Sequence, residues 1–503
     1  MNLILFPHQL YNPKFINFKE YKNIIIIEEP RYFTDFKFHK LKLAYHRASM
    51  KKYYNTIKNK YNNQIKYIEY NKVTNQFYID LKDIHIYDPY DHKLIKKLNK
   101  LVKINIIENL QFLIENNFSS ENINKTPNLL EHKLNTTKQE NQTILGKKEI
   151  YRHDSFYKFM RIKYNILIDD KNKPIGGKWS FDKENRCKFP DDIKIPPLPK
   201  VKNNKYIIEA KEYINKHFKD NYGLLEYFIY PIDHKSAINW LKNFLSTKLK
   251  LFGKYEDAVS TKHDFGFHSI LTPMMNIGLL RDIEVVEISS DYYKKNKSKI
   301  PIESYEGFIR QVIGWRQYVY YLYTLEGDNM IKSNLLNHTN KLSEKWWDNV
   351  GITPINFLLD KINKYAYVHH IERLMFLSNW LLLNQINPNE VYRIFMEWTI
   401  DAYDWVMVPN VFGMGQAATD VMMTRIYFSS SNYILKMSNF KNDNTDWVKT
   451  WDAVYYNFIK DNKTKLAKNY ATSMQVKHYN NKTTSEKNEI ELLANNYFKF
   501  VKK

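Results

Sequence analysis

Only 13 glycines occur in the 503 residues, and none lies before Gly146 or after Gly415. A chain this poor in the one residue that enters left-handed backbone freely keeps glycine where turns or close approaches demand it. The stretch before Gly146 therefore has no GxGxxG phosphate-binding turn, which weighs against an ordinary dinucleotide-binding Rossmann domain there. The glycines gather instead in GGKW, LFGKY, DFGFHSILTP, NIGLL, EGFIRQVIGWR and FGMGQ. A phosphate-bearing cofactor is expected in the later part of the chain.

Hydrophobic patterning divides the molecule. NLILF and NIIIIEE are short β-rich runs, HKLKLAYHRASMKKYYNTI has helical spacing, and IKYIEY returns to strand. That alternation predicts a parallel α/β domain over residues 1–130. KLNTTKQENQTILGKKE is polar and weakly patterned, and the prolines of IKIPPLPKV, Ile193–Val201, predict an extended connection, so 131–204 is a connector. From about residue 205 to 503 the apolar periodicity is helical, and there is no internal repeat. MNLILFPHQL has no basic region ahead of its apolar residues and is expected to be a first strand rather than a leader. LMFLSNWLLLNQI, broken by Ser378, Asn379 and Asn384, is too short and polar for a membrane span, so a soluble protein is expected.

The formal charge of +22 points to an acidic partner. Nucleic acid ranks ahead of anionic membrane because no basic amphipathic helix stands out. A single cysteine, Cys187, excludes an intramolecular disulfide and a four-thiolate cluster, and is consistent with a reducing, intracellular compartment.

AYVHHIERL, Ala366 to Leu374, sets two histidines in an apolar stretch. Ile362, Ala366, Leu374, Leu377 and Leu381 fall at helical spacing, so the segment is expected to be buried helix with His369 and His370 about 100° apart. The plain reading is a hydrogen-bonded pair in the core. Helical zinc pairs place the second ligand one turn on, whereas the residue one turn after His369 is Arg373, so no metal is expected.

FPHQLY, FHKLKLAYHRASM, GGKWSFDKENR, FGKYEDAV, FHSILTPMMNIGLL, GFIRQVIGWRQYV, YAYVHHIERLM and DAYDWVMVPNVFGMGQ occur in that order along the chain. Together they resemble the bacterial cryptochrome and photolyase family that carries an iron–sulfur cluster and repairs (6-4) photoproducts. The resemblance implies a Rossmann-like α/β antenna domain, a connector and an all-α domain that binds FAD, with an antenna chromophore of lumazine or other type in the first. HSILTP, with His268, Ser269, Ile270, Leu271 and Thr272, is similar to the loop that holds the FAD diphosphate; a helix cap before proline is the alternative. Tyr255 and Gln311 match positions lining the cofactor, and Arg316 matches one that serves FAD or DNA. Arg373 and Asp404 match the arginine–carboxylate pair beside the flavin ring, and Asn410 a residue at flavin N5; a helix–helix ion pair and a turn asparagine are the alternatives.

Two departures from the family stand out. MSNFKNDNTDWVKTWDAVYYNF contains none of the cluster cysteines, so no iron–sulfur cluster is expected and Trp447 and Trp451 must pack in its place. Trp346 resembles one electron-relay position, but Ile394 and Phe395 stand where the resemblance places aromatic donors, leaving Trp398 and Trp405 as candidates. The expected activity is light-driven repair of UV-damaged DNA by a monomer, most specifically of (6-4) lesions, by electron transfer from excited reduced FAD to a flipped lesion. His370 is the candidate general acid and His369 its neighbour at the lesion. The rivals are a cryptochrome-like blue-light receptor without repair and a cofactor-free basic nucleic-acid-binding protein.

Overall fold

A computed structural model describes residues 1–61, 65–114, 138–143, 146–423, 426–442 and 446–502. The isoleucine- and leucine-rich runs form a five-stranded parallel sheet: β1 (Asn2–Leu5), β2 (Asn23–Ile27), β3 (Ile65–Ile68), β4 (Ile84–Tyr87) and β5 (Ile104–Ile107), in the order β3-β2-β1-β4-β5. Leu3, Ile4 and Leu5 and all of Ile24–Ile27 are buried, as continuous apolar strands covered on both faces must be. Between β2 and β3 run the short α1 (Pro30–Phe33) and the long α2 (Lys40–Tyr61). α2 buries Lys42, His46 and Arg47 as well as its apolar residues, because it is covered by more than the sheet.

Strand order reverses at β1, and in open parallel sheets the crevice at such a point is the usual place for a ligand. Here His8, just beyond β1, is fully buried with its ring 4.6 Å from Tyr32, 4.9 Å from Tyr90 and 5.5 Å from Tyr403. Its Nε2 lies 3.0 Å from the Pro89 carbonyl. Protein side chains fill this edge.

The expected boundary at residue 130 lies outside the described residues. Part of the polar stretch expected to be a loop is instead an antiparallel hairpin, Lys138–Thr143 with Gly146–Tyr151, whose strands carry no apolar alternation to reveal them. Ile193–Val201 is free of helix and strand, as its prolines predict. Among the described residues every helix or named strand after Tyr151 is helical. α3 (Thr353–Tyr365), α4 (Pro388–Trp398) and α5 (Asp404–Val408) frame the site, and α6 (Trp447–Leu466) packs against α7 (Thr484–Lys502). No described helix is long and apolar enough to cross a membrane.

AYVHHIERL is not one helix. α3 stops at Tyr365, Ala366 turns left-handed at φ 51°, and a new helix begins at His370. His369 sits at its cap, where its N–H donates to Glu372 Oε2 at 2.8 Å. Glu372 also receives Lys361 Nζ at 2.7 Å, so the carboxylate ties the new helix to the old one. The pattern His-x-x-Glu is the reach-back half of a capping box, and it was present in the sequence.

Candidate active site

Three helices carry a π-helical turn, at Arg310–Trp315, Glu372–Ser378 and Pro409–Gly415. Such turns are rare and concentrate at functional sites. At the third, Pro409 has no N–H to give, and the Asn410 side chain donates to the Val406 carbonyl at 2.7 Å. The three meet: Trp315 Nε1 donates to Asn410 Oδ1 at 3.2 Å, and Gln416 Nε2 to Ser378 Oγ at 2.9 Å. A Cβ on Gly415 would overlap Ser378 Oγ, so glycine is what lets the second and third turns touch. Gln311, Trp315, Arg373, Leu374, Asn410 and Met414 are half-buried on these otherwise buried turns.

The HSILTP loop adds backbone donors. Ile270 is left-handed at φ 54°, and among the described residues nothing accepts from the amides of Ser269, Ile270 or Leu271. Successive amides left without acceptors are suited to an anion. The Ser269 carbonyl accepts from Trp240 Nε1 at 2.8 Å. Thr272 Oγ1, expected to help hold the diphosphate, donates to Asp401 Oδ2 at 2.5 Å.

The arginine–carboxylate pair is also corrected. Arg373 Nη1 lies 2.9 Å from Asp401 Oδ1 and Nη2 donates to Asp401 Oδ2 at 3.1 Å, while Nε holds the Val368 carbonyl at 2.7 Å. Asp404 does not take part. It opens α5 facing the N-terminal domain, where Arg31 Nη2 reaches Asp404 Oδ2 at 2.6 Å and Tyr392 donates to its other oxygen. Arg316 is equally withdrawn, with Nε 2.9 Å from Asp282 and its guanidinium 8% exposed.

The two adjacent histidines have opposite surroundings. His369 is 4% exposed and stacks on His268 with centroids 4.3 Å apart and planes 14° apart. His268 Nε2 and His369 Nδ1 are buried without hydrogen-bond partners. Burial, aided by nearby cations, holds both rings well below the ordinary histidine value, so they are neutral. His370 is 44% exposed, and its Nε2 lies 3.1 Å from Asp257 Oδ1. Partial burial would lower it, but the hydrogen bond and charge of Asp257, with Glu256 beyond, raise it above the ordinary value. One nitrogen from each of the three rings falls within 4.8 Å of the others, a metal-like grouping, although Asp257 engages His370 and Lys361 and Arg373 oppose a cation.

Gln311 Nε2 donates to Glu256 Oε1 at 2.6 Å, and Glu256 also accepts from Asn185 Nδ2 of the connector. Tyr255 is buried and stacks on Phe267 at 5.7 Å. Trp398 and Trp405 are buried with unpartnered indole N–H groups, and Trp346 is buried elsewhere; no ring contact among the described residues joins the three. Sequence reasoning missed Asp401, Asp257, Trp315 and the stacking of His268 on His369. Of these only Asp401, one carboxylate of DAYD, carried a local signal.

These groups fit a flavin dinucleotide. The amides at 269–271, without acceptors among the described residues, suit a diphosphate, and the half-buried Arg373 and Asn410 suit the polar edge of a flavin ring. The model of the family described as deoxyribodipyrimidine photo-lyase-related protein matches residues 3–230. A (6-4) photolyase of Agrobacterium fabrum (strain C58) is 34% identical over 327 residues, 63% of this chain and 64% of its own length, so the match spans just under two thirds of that relative. The crystal structure of a bacterial class III photolyase from Agrobacterium tumefaciens aligns with 100% of this chain and 97% of its own, with TM-score 0.55 and 13% identity. That of the Synechocystis sp. PCC6803 cryptochrome aligns over 98% of each chain with TM-score 0.52 and 12% identity. At such identities the two structures show a shared fold, an α/β domain followed by a helical one. The chain is thus similar in sequence, over part of its length, to photolyase-related proteins, and it shares its fold with a photolyase and a cryptochrome.

Proposed function

We propose that this protein is a light-driven DNA-repair enzyme, a photolyase acting as a monomer on (6-4) pyrimidine–pyrimidone photoproducts with FAD as its cofactor. The observation that carries the reading is a half-exposed His370 held by Asp257, next to the buried pair His268 and His369 and two residues before the Glu372–Ser378 π turn. The relative named as a (6-4) photolyase supports the lesion class.

The amides of Ser269, Ile270 and Leu271 would hold the diphosphate, and Arg373, fixed by Asp401, would face the flavin ring with Asn410, Gln311 and Tyr255 around it. Reduced and excited by blue light, bound FAD would supply an electron to the lesion and recover it. Reversing a (6-4) lesion also returns a hydroxyl or amino group from one base to the other, which needs a proton at the migrating heteroatom. His370 is our candidate to give it: it is half-exposed, and Asp257 favours its protonated form. His369, buried and neutral, orients that ring and does not act as the acid. The net positive charge would grip phosphates without reading sequence, while the lesion is flipped out of the duplex. With one cysteine the chain cannot supply the four thiolates of a cluster. An antenna, of lumazine type or another, would have to dock away from the crevice that His8 and its tyrosines fill.

A blue-light receptor is the second reading, favoured by the lack of ring contact among Trp346, Trp398 and Trp405 among the described residues. The test is lesion removal from oligonucleotides carrying either a (6-4) or a cyclobutane lesion, under blue light and in the dark. Light-dependent loss of the (6-4) lesion is expected. Repair of cyclobutane dimers alone overturns the lesion assignment; flavin without repair favours the receptor, and no flavin favours the cofactor-free binder.

A further inference from the structure

Residues 399–403 connect α4 to α5, and all of them are buried. Connections normally run over the surface, because a buried one strands its backbone polar groups. This loop finds partners on two sides. The helical domain supplies some: the Ile400 N–H donates to the Ala366 carbonyl at 2.9 Å, and Asn276 Nδ2 donates to the Asp401 carbonyl at 2.7 Å. The N-terminal domain supplies the rest. Lys42 Nζ of α2 donates to the Ala402 carbonyl at 2.5 Å, His46 Nε2 of α2 lies 2.7 Å from the Tyr403 hydroxyl, and Arg31 of α1 pairs with Asp404.

Each of these three groups is costly to bury, which argues that its position matters. Lys42 is 1% exposed and lies among the rings of Phe38 and Tyr403, at 4.6 and 5.1 Å. Arg31 is anchored within its own domain by Asp91 at 2.9 Å, so it reaches Asp404 from a fixed base. The opposite side of the loop carries Asp401, whose carboxylate fixes Arg373 and receives Thr272. The chain is therefore divided between the domains: Ile400 and Asp401 are held by the helical side, and Ala402, Tyr403 and Asp404 are gripped from the α/β side.

We propose that the N-terminal domain is a clamp on residues 399–404, and that Arg31, Lys42 and His46 are positioning residues that set the Arg373–Asp401 pair. The clamp rests on the reading that this pair meets the flavin. A sheet whose usual ligand crevice is filled by its own side chains thereby serves the site by holding a loop.

The test uses the full-length protein with its flavin removed and FAD added back. Arg31→Met and Lys42→Met should each raise the dissociation constant for FAD at least about tenfold and shift the midpoint potential of the bound flavin. Arg31→Lys, which keeps a charge but cannot span both Asp91 and Asp404, should fall between. Tyr403→Phe removes only the hydroxyl that His46 meets and should move the potential in the same direction by less, so the clamp stays testable if the larger changes unfold the chain. Folded variants with wild-type FAD affinity and potential overturn the clamp, and so does a lowered Tm with the potential unmoved. A wild-type protein that takes up no FAD overturns the flavin reading beneath it.

Discussion

Two regions of the helical domain fall where the resemblance would place cofactors, and they are built in opposite ways. Around the three π turns, polar groups are left half-open: the amides of 269–271 have no acceptor among the described residues, and Gln311, Arg373 and Asn410 are only partly buried. Where the family's cluster would lie, the chain closes on itself. Trp380 stacks on Trp451 with centroids 4.6 Å apart, and Trp447 meets Trp451 edge-on at 6.2 Å. All three indoles are satisfied, donating to the Tyr497 hydroxyl, the Ser429 carbonyl and the Lys441 carbonyl at 3.1, 3.0 and 3.2 Å. The first region keeps donors without acceptors among the described residues, whereas the second is packed and satisfied like ordinary core.

The contrast breaks most easily at the tryptophans. Trp451→Ala should destabilise the fold by about 3–5 kcal/mol in denaturant unfolding, since it removes a fully buried ring from between two others, and should leave FAD content per folded chain unchanged. A variant of wild-type stability would mean the trio does not replace the cluster structurally.

His370→Ala tests the open region. Repair yield per photon should fall roughly a hundredfold, the usual scale of lost acid catalysis, with FAD still bound and affinity for damaged DNA nearly unchanged. His369→Ala should be impaired as well, through the loss of the ring stacked on His268. If both variants repair (6-4) DNA as wild type does, the histidines are core residues and the acid lies elsewhere.

A smaller effect sharpens the same point. Asp257 raises His370, so the acid form persists above the ordinary histidine range and repair should be lost only as pH rises through that raised value. Asp257→Asn removes the charge and should move the alkaline loss of activity to lower pH. Matching pH profiles for wild type and variant would remove Asp257 from the mechanism.

Much of this was legible in the sequence, and the exceptions have physical causes. Continuous runs such as NIIII announce parallel strands, and the spacing in Lys40–Tyr61 announces its helix. The π turns could not be read, because one extra residue in a helical turn barely disturbs apolar periodicity. Asp404 was matched to Arg373 in place of Asp401 because DAYD offers two carboxylates within one turn, and only the packing of the N-terminal domain decides which faces Arg31. The partner of His369 was hidden for a related reason: His268 is distant in sequence and reaches it only through the fold. The break inside AYVHHIERL had a local sign in His-x-x-Glu, outweighed by the apolar spacing around it.

The chromophore and metal content of a single purified preparation tests both proposals, an open site that takes FAD and a packed one that holds no cluster. Stoichiometric FAD released on denaturation, with iron below stoichiometry by elemental analysis, is the predicted result. Flavin-free protein, or protein carrying stoichiometric iron, would contradict it.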